Sequence, residues 1–223
     1  MNYAVWRKVM LTFTAALFDM DGTILDSMGV WADVDRAFFK LRGMEVPEDY
    51  AHSISGLSFR QTAVYTKERF NLPESVDEIL DEWNEMCEKE YVNNVPLKPD
   101  AEKYLLFLKK KGVKLAVATA LPERLFKPAL QRNGVYHLFD AFASTDEAGE
   151  RKSTGKVYLL AADRLHVNPS DCCVFEDITD GILGAKAAGM KAVLVKDWAN
   201  EKSVKESRHL ADAYLEAYGE WIE

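Results

Sequence analysis

Five short apolar runs, separated for the most part by helix-length segments, constrain the fold of this chain more than any other feature. Each run is uniformly apolar or rich in β-branched residues, as strands buried on both faces of a sheet are. The runs are residues 14–19, 114–119, 141–144, 172–177 and 191–195. Between the last four lie helical patterns at residues 123–133, 155–166 and 180–188, and Gly189 follows as a natural stop. The alternation predicts an α/β fold, a Rossmann-like doubly wound parallel sheet with right-handed crossovers.

The first two runs are separated by a segment that is much too long for one crossover helix. From about residue 24 to residue 96 the pattern is helical, with two apolar stripes at helical spacing. One stripe comprises Trp31, Val34, Phe38 and Leu41, and the other, on an acidic helix near residues 75–91, comprises Val76, Ile79, Leu80, Trp83 and Cys87. We interpret both stripes as helix–helix packing rather than as cofactor contacts. The sequence therefore predicts a core of residues 1–23 and 96–223, with a small helical domain at 24–95 inserted into it and residues 95–99 as the return linker.

Composition and charge narrow the class of protein. The 223 residues are 48% hydrophobic and 29% charged, which is typical of a soluble globular protein. With 28 Lys and Arg against 36 Asp and Glu, the formal net charge is −8. This balance argues against nucleic acid or an anionic membrane as the main partner, because both require a basic surface. Much of the excess acid is expected on solvated helix faces.

The N-terminal segment and the cysteines favour a cytoplasmic protein. The start of the chain, with Trp6, Arg7 and Lys8, loosely imitates a signal peptide but lacks a small-residue cleavage site, so we interpret it as a tail before the first strand. No run of about 18 apolar residues is present. The three cysteines are Cys87, Cys172 and Cys173. Their odd number, and the side-by-side pair on a predicted strand, suit a reducing compartment and give no zinc-site spacing.

Polar residues converge at the carboxyl ends of the predicted strands, where open parallel sheets bind their ligands. They are Asp19 and Asp21 after the first run, Thr119 at the end of the second, Lys152 after the third, and Glu176 and Asp177 at the end of the fourth. Each one alone is an ordinary cap, turn former or solvated charge. Together they predict a site, and carboxylates this close require a cation. Oxygen ligands without His or Cys favour Mg²⁺.

Such a cluster suits phosphoryl transfer. A divalent cation, a lysine and a hydroxyl would offset the repulsion between an attacking carboxylate and a phosphate group. One aspartate could then form an aspartyl phosphate while the other gives and takes a proton at the leaving oxygen.

Four segments of this chain resemble the motifs of the haloacid dehalogenase-like phosphohydrolases. They are residues 19–23 (DMDGT), Thr119, Lys152 in RKSTGK, and residues 175–189 (FEDITDGILGAKAAG). The resemblance covers nearly the whole chain. Within the family, the chain most resembles the subgroup that carries a helical cap after the first strand, which includes phosphoglycolate phosphatase-like and β-phosphoglucomutase-like enzymes. It implies that Asp19 is the nucleophile and Asp21 the general acid/base, and that Thr119 and Lys152 hold the transferring phosphate. It also implies a Mg²⁺ site formed by Asp19, Asp21 through its backbone carbonyl, Glu176 and Asp177.

The chain departs from the pattern of this family at four places. Ile178 replaces the usual Ser after the acidic pair. Gly181 replaces a further acid, and Asp180 comes one residue earlier, where we expect a carboxylate at a helix start. Residues 121–122 (Leu-Pro) follow Thr119 where relatives often carry a polar or basic residue. Lys156 stands at an often acidic position, and we interpret it as an exposed helix residue.

Within this family the cap decides the reaction. The resemblance places Trp31 and Phe59 where the mutase branch has the cap His and Arg that hold a distal phosphate, which disfavours a mutase. No lysine lies between Lys40 and Lys67, so the Schiff-base lysine of the phosphonate-cleaving branch is absent. Dehalogenases lack the second acid of the first motif, present here as Asp21. We therefore predict a Mg²⁺-dependent phosphatase acting on a small-molecule phosphomonoester, with a β-phosphoglucomutase-like sugar-phosphate mutase as the alternative.

Substrate contacts are predicted in the cap loop at residues 53–62 (SISGLSFRQT), which we expect to cover the site. Gly56 is the flexible point, and Arg60 is the candidate for contacting an anionic substrate, with a surface charge on the following helix as the alternative. Ala120 completes the substrate-binding set. A phospho-receiver domain is less favoured, because its phosphorylated Asp follows its third strand and its compact fold has no place for the insert. We expect a monomer or weak homo-oligomer.

Overall fold

A parallel sheet forms the centre of the molecule. The computed structural model of the protein describes residues 11–199 and 201–222. The strands of this part of the chain are β1 (Ala15–Phe18), β2 (Lys114–Thr119), β3 (Ala141–Ser144), β4 (Cys172–Glu176), β5 (Lys191–Val195) and β6 (Ala213–Leu215). They pair in parallel in the order β3-β2-β1-β4-β5-β6, which confirms the predicted α/β fold with a doubly wound sheet. The sequence does not predict β6, because its three residues are too few to form a pattern. The predicted tail with Trp6, Arg7 and Lys8 lies outside the described residues.

Helices connect the strands and form the insert. They are α1 (Met28–Leu41), α2 (Tyr50–Ile54), α3 (Phe59–Phe70), α4 (Val76–Asn93), α5 (Ala101–Lys110), α6 (Glu123–Arg132), α7 (Thr145–Ala148), α8 (Lys156–Leu165), α9 (Thr179–Ala187) and α10 (Glu201–Ser207). The predictions for α6, α8 and α9 are correct to within a residue or so at each end. Helices α1 to α4 lie between β1 and α5, as expected of an insert. Within the described ranges, none of the helices is long and apolar enough to cross a membrane.

The sheet separates two apolar layers. Alternate residues of a strand face opposite sides, so Phe18 and Cys173 pack in one layer and Leu17 and Cys172 in the other. The two neighbouring cysteines therefore do face opposite sides, and both are free thiols. Burial on both faces explains why the runs read as continuously apolar.

The insert is held together by aromatic packing between its helices. The ring of Trp83 on α4 lies 5.3 Å from that of Phe38 and 5.7 Å from that of Phe59. The prediction for Leu41 is wrong, because its side chain is exposed. The Arg42 guanidinium instead covers this end of the packing, since it lies 3.6 Å over the Phe38 ring.

The chain enters and leaves the insert through two hydrogen-bonded segments. The Asp26 N–H donates to the Pro96 carbonyl at 3.0 Å, and the Lys98 N–H donates to the Ile24 carbonyl at 2.9 Å. These crossings lie directly after the loop that carries Asp21 and connect the insert to the end of β1. The division into residues 1–23, 24–95 and 96–223 remains an interpretation of this connectivity.

Candidate active site

The predicted site residues meet at the carboxyl ends of the three central strands. β1 lies between β2 and β4. The strands β2 and β3 follow on one side of β1 and the strands β4 to β6 on the other, so the strand order reverses at β1. In open α/β sheets a ligand crevice forms at such a reversal. Asp19, Asp21, Thr119, Lys152 and Asp177 all line one cavity of about 230 Å³ between this edge and the insert. This volume suits a small molecule.

Lys152 is the electrostatic centre of the cavity. Its Nζ lies 2.6 Å from Asp19 Oδ1 and 2.5 Å from Glu176 Oε1, and all three side chains are almost completely buried. Burial alone would lower the pKa of the Lys152 ammonium, but the charges of Asp19 and Glu176 outweigh it and raise the pKa above its usual value. Lys152 therefore remains a cation that a phosphate group can meet.

Glu176 holds Lys152 in place. Its Oε1 also accepts a hydrogen bond from the Tyr158 hydroxyl at 2.9 Å, and its Oε2 accepts from the N–H groups of Asp177 and Ile178 at 3.1 and 3.3 Å. These bonds occupy most of the lone pairs of one carboxylate. Glu176 thus orients Lys152, and its role as a metal ligand stays a prediction.

The same carboxylate explains the departure at position 181. A Cβ on Gly181 would lie 2.1 Å from Cδ of Glu176, which is far inside van der Waals contact. The space that an acid at this position would occupy is therefore filled by Glu176. Asp180 lies in the first turn of α9, as expected, and also pairs with Arg151.

Three acids could hold a metal ion. Asp19, Glu176 and Asp177 are buried, and each offers a carboxylate oxygen within 4.8 Å of the others. Burial, and then the charges of Glu176 and Asp19, raise the pKa of Asp177 well above its usual value. A hard divalent cation relieves this repulsion, so the all-oxygen donor set fits Mg²⁺. Gly22 permits the close approach, because a Cβ there would lie 2.5 Å from Asp177 Oδ2.

Asp21 is held by three donors that the sequence did not predict. Its Oδ1 accepts hydrogen bonds from Ser27 Oγ at 2.6 Å and Tyr91 Oη at 2.5 Å, and its Oδ2 accepts from Trp31 Nε1 at 3.0 Å. Burial raises the pKa of Asp21 to about 6 against the lowering effect of these donors, and the charge of Asp19 also raises it. Trp31 belongs to the apolar stripe on α1, and Tyr91 lies one turn after Cys87, the last residue of the stripe on α4. Nothing in the sequence therefore indicates that either side chain reaches an acid.

Two of the three predicted substrate-binding residues line the cavity, and one does not. Gly56 lines the cavity, with a left-handed φ of 73° and a carbonyl that accepts the Lys152 N–H at 3.0 Å. Ala120 also lines the cavity. Arg60 lies outside it, because its largely exposed side chain pairs with Asp77 at 2.6 Å. This corrects the expectation that Arg60 contacts the substrate and favours the surface-charge interpretation.

Of the remaining departures from the family pattern, two line this cavity and one is exposed on a helix. Leu121 and Ile178, at two of the positions where the chain departs from the family pattern, line it with apolar surface. Lys156 is exposed on α8 and pairs with Glu150 at 3.0 Å, which confirms the exposed-helix interpretation.

Comparison with known proteins agrees with this geometry. The family described as haloacid dehalogenase-like hydrolase matches residues 16–195. The phosphorylated carbohydrates phosphatase of Thermotoga maritima is 28% identical over 179 residues, which are 80% of this chain and 83% of that protein. CbbY from Rhodobacter sphaeroides, in complex with phosphate, superposes with a TM-score of 0.81 at 22% identity, over 93% of this chain and 96% of that one. β-Phosphoglucomutase from Clostridium difficile superposes with a TM-score of 0.78 at 22% identity, over 93% and 92%.

At these identities the two solved structures establish the fold alone. The family match spans most of the chain and includes every strand end that carries a site residue. The chain belongs to the haloacid dehalogenase-like hydrolases.

Proposed function

We propose that this protein is a Mg²⁺-dependent phosphatase that hydrolyses a small-molecule phosphomonoester. The observation that carries the proposal is the Lys152 ammonium, 2.6 Å from the Asp19 carboxylate in a cavity that Thr119 also lines. A carboxylate can attack a phosphate group only where positive charge offsets their repulsion. The Thermotoga maritima relative, named as a phosphatase of phosphorylated carbohydrates, supports the same reaction class.

The reaction would proceed in two transfers. A carboxylate oxygen of Asp19 attacks phosphorus, the bond from phosphorus to the ester oxygen breaks, and the departing oxygen takes a proton from Asp21. In the second transfer, water attacks the aspartyl phosphate and gives its proton to Asp21. The bond between phosphorus and the Asp19 oxygen then breaks, which releases inorganic phosphate and restores both acids.

The other residues would position the phosphate. Lys152 and the Thr119 hydroxyl would contact its oxygens, with Glu176 keeping Lys152 in place. Asp19, Asp177 and the backbone carbonyl of Asp21 would hold Mg²⁺, which when bound offsets the charge shared by the acids and the phosphate.

The wall formed by the insert favours hydrolysis over the mutase alternative. A mutase must hold the distal phosphate of a bisphosphate, which calls for a second cation. Among the described residues that line the cavity, Lys152 is the only basic one. Trp31 and Phe59 stand at the corresponding positions, and their rings lie 5.8 Å apart in an edge-to-face contact.

Phosphate release from p-nitrophenyl phosphate and from a panel of phosphomonoesters tests the proposal. Asp19→Asn should lower turnover by about a thousandfold or more while the folded state persists, because it removes the nucleophile and little volume. Asp33→Asn, an exposed acid on α1, is the matched control and should have no effect. Activity should disappear with EDTA and return with Mg²⁺. Full activity of Asp19→Asn, or hydrolysis that survives EDTA, would contradict the proposal, and interconversion of sugar phosphates without release would establish the mutase.

A further inference from the structure

The insert contributes a largely aromatic and aliphatic wall to the cavity. The side chains from the insert that form this wall are Met28, Trp31, Val34, Tyr50, Ile54, Leu57, Phe59 and Trp83. The hydroxyl of Tyr50 is already bonded to that of Thr66 at 2.7 Å. The other polar side chains that the insert contributes are Ser55, Thr62 and Asp35, and the Trp83 Nε1–H has no acceptor among the described residues. A flat, mostly apolar leaving group would bury well against the remainder of this wall.

One carboxylate interrupts this apolar wall. Asp35 lies on α1, one turn after Trp31, and lines the same cavity. Within the described part of the chain no side chain or backbone group donates a hydrogen bond to it, and the neighbouring Arg36 pairs with the exposed Asp33 instead. Asp35 is partly buried, and a carboxylate that loses water without gaining a protein donor is destabilising. Burial accordingly raises the pKa of Asp35 to about 6, although Arg36 lowers it somewhat.

The charged residues that line the cavity favour a cationic group on the substrate over an anionic one. Lys152 is the only basic side chain among the described lining residues, and it is already paired with Asp19 and Glu176. A second phosphate or a carboxylate on the substrate would lie against Asp35, with Lys152 the only cation among the described lining residues. An ammonium or N–H group would instead give Asp35 the donor that it lacks.

Building on the phosphatase function, we propose that Asp35 selects the leaving group, and that the site takes the monophosphate of an aromatic alcohol that carries an ammonium or N–H group. The phosphate occupies the end of the cavity at Asp19, Thr119 and Lys152. The aromatic body packs against the wall formed by the insert, and its nitrogen donates to Asp35. The specificity therefore lies in a residue outside the four sequence motifs.

Three esters of the same shape and different charge test this assignment: 4-(aminomethyl)benzyl, 4-methylbenzyl and 4-carboxybenzyl phosphate. At pH 7.5 with Mg²⁺, wild-type kcat/KM should be highest for the amine and lowest for the carboxylate, with about a tenfold difference at each step. The same order should appear in the Kd values of the inactive Asp19→Asn protein, because the contact is made to the leaving group rather than to the phosphate.

The matched variants are Asp35→Asn and Asp33→Asn, which remove the same charge from two faces of one helix. Asp35→Asn should lose most of the preference for the amine and gain activity toward the carboxylate, whereas Asp33→Asn should keep the wild-type order. Equal rates for the three esters, or an order unchanged in Asp35→Asn, would overturn the role of Asp35 and leave the phosphatase function standing. Absence of phosphate release from all three esters and from p-nitrophenyl phosphate would instead overturn the proposed function itself.

Discussion

Glu176 can reach Lys152 only because position 181 carries no side chain. The 2.1 Å separation between a Cβ at Gly181 and Cδ of Glu176 makes the two positions sterically dependent. The Glu176 side chain requires glycine at position 181, since the tightly packed interior has no room for a second side chain there.

Gly181→Ala should therefore lower kcat by roughly ten- to a hundredfold, because the new methyl displaces Glu176 and with it the Lys152 ammonium. Overpacking should also cost about 1–3 kcal/mol of unfolding free energy. Steady-state kinetics and urea unfolding measure the two effects.

Gly29→Ala on α1 is the matched control. A Cβ at Gly29 meets no atom within 4 Å, so activity should be unchanged and stability equal or slightly higher, by up to about 1 kcal/mol. A Gly181→Ala protein with wild-type kcat would show that Glu176 does not position Lys152.

The donors around Asp21 should set the pH dependence of the proposed phosphatase. Transfer to Asp19 requires a protonated Asp21, so kcat/KM should fall as the pH rises through the pKa of Asp21, which lies at about 6. Tyr91 lowers this pKa by donating to the ionised carboxylate. Tyr91→Phe should thus move the falling limb of the pH profile to higher pH.

A purely structural role of Tyr91 would lower kcat/KM at every pH and leave the limb in place. Tyr65→Phe serves as the comparison, because it removes a hydroxyl from the same insert that contacts Arg69 instead of Asp21. A limb that stays fixed in Tyr91→Phe, or moves to lower pH, would contradict this role.

At the scale of elements, Lys98 ties the return segment of the insert to the catalytic loop. Its ammonium donates to the Gly22 carbonyl at 2.8 Å, to the Lys196 carbonyl at 2.6 Å and to Asp197 Oδ2 at 2.8 Å. The side chain of Asp197 is almost completely buried, and that of Lys98 is mostly buried. One cation thus joins the insert crossing, the loop after Asp21 and the end of β5.

Lys98→Met should lower the free energy of unfolding by about 2–4 kcal/mol, because it breaks the ion pair of Lys98 with the buried Asp197. In the double variant Lys98→Met/Asp197→Asn the loss should be smaller than the sum of the single losses, as urea unfolding of the four proteins would measure. Lys103→Met breaks an exposed pair with Asp100 and should change stability by less than about 0.5 kcal/mol. Additive losses at positions 98 and 197 would mean that the two groups are not coupled.

Elements defined by local patterns could be predicted from the sequence, and contacts between distant elements could not. The buried strands are continuously apolar and α6, α8 and α9 are bounded by clear signals, so the sheet and the meeting of Asp19, Thr119 and Lys152 follow from topology. The hydrogen bond from Tyr91 to Asp21 joins residues 70 positions apart. The sequence does not distinguish a tyrosine that only packs in a core from one whose hydroxyl donates a hydrogen bond. The exposed Leu41 shows the same limit, because only the fold reveals that Arg42 covers Phe38.

At the scale of the whole molecule, the cavity lies where the apolar packing of the insert meets the charged edge of the sheet. The apolar wall buries Trp83 and Val34 as an ordinary core does, yet it also partly buries Asp35, to which no described group donates a hydrogen bond. Such an acid lowers the stability of the whole fold. Retention of a destabilising group inside a binding cavity is expected where the group is needed for function.

Stability should therefore depend on pH through Asp35. The folded protein raises the pKa of this carboxyl from 3.8 to about 6. Between these values the folded state holds a proton that the unfolded chain has lost, so this group makes stability fall as the pH rises from about 4 to 6. Above that window the penalty is constant. It amounts to roughly 1–2 kcal/mol once solvent access to a partly exposed side chain is allowed for.

Asp35→Asn removes this titration and should be more stable than the wild type by roughly 1–2 kcal/mol at pH 7.5, or several degrees in Tm. The two proteins should converge well below the unfolded-state pKa of 3.8, where the wild-type acid is protonated in both states. Urea unfolding across this range measures the difference, with Asp33→Asn as the exposed control that should follow the wild type. A stability gain at pH 7.5 together with loss of the preference for the amino ester would show that one carboxylate sets both properties. A wild-type protein as stable as Asp35→Asn at every pH would mean that Asp35 already has a donor, and the selection of an N–H group by this acid would lose its physical basis.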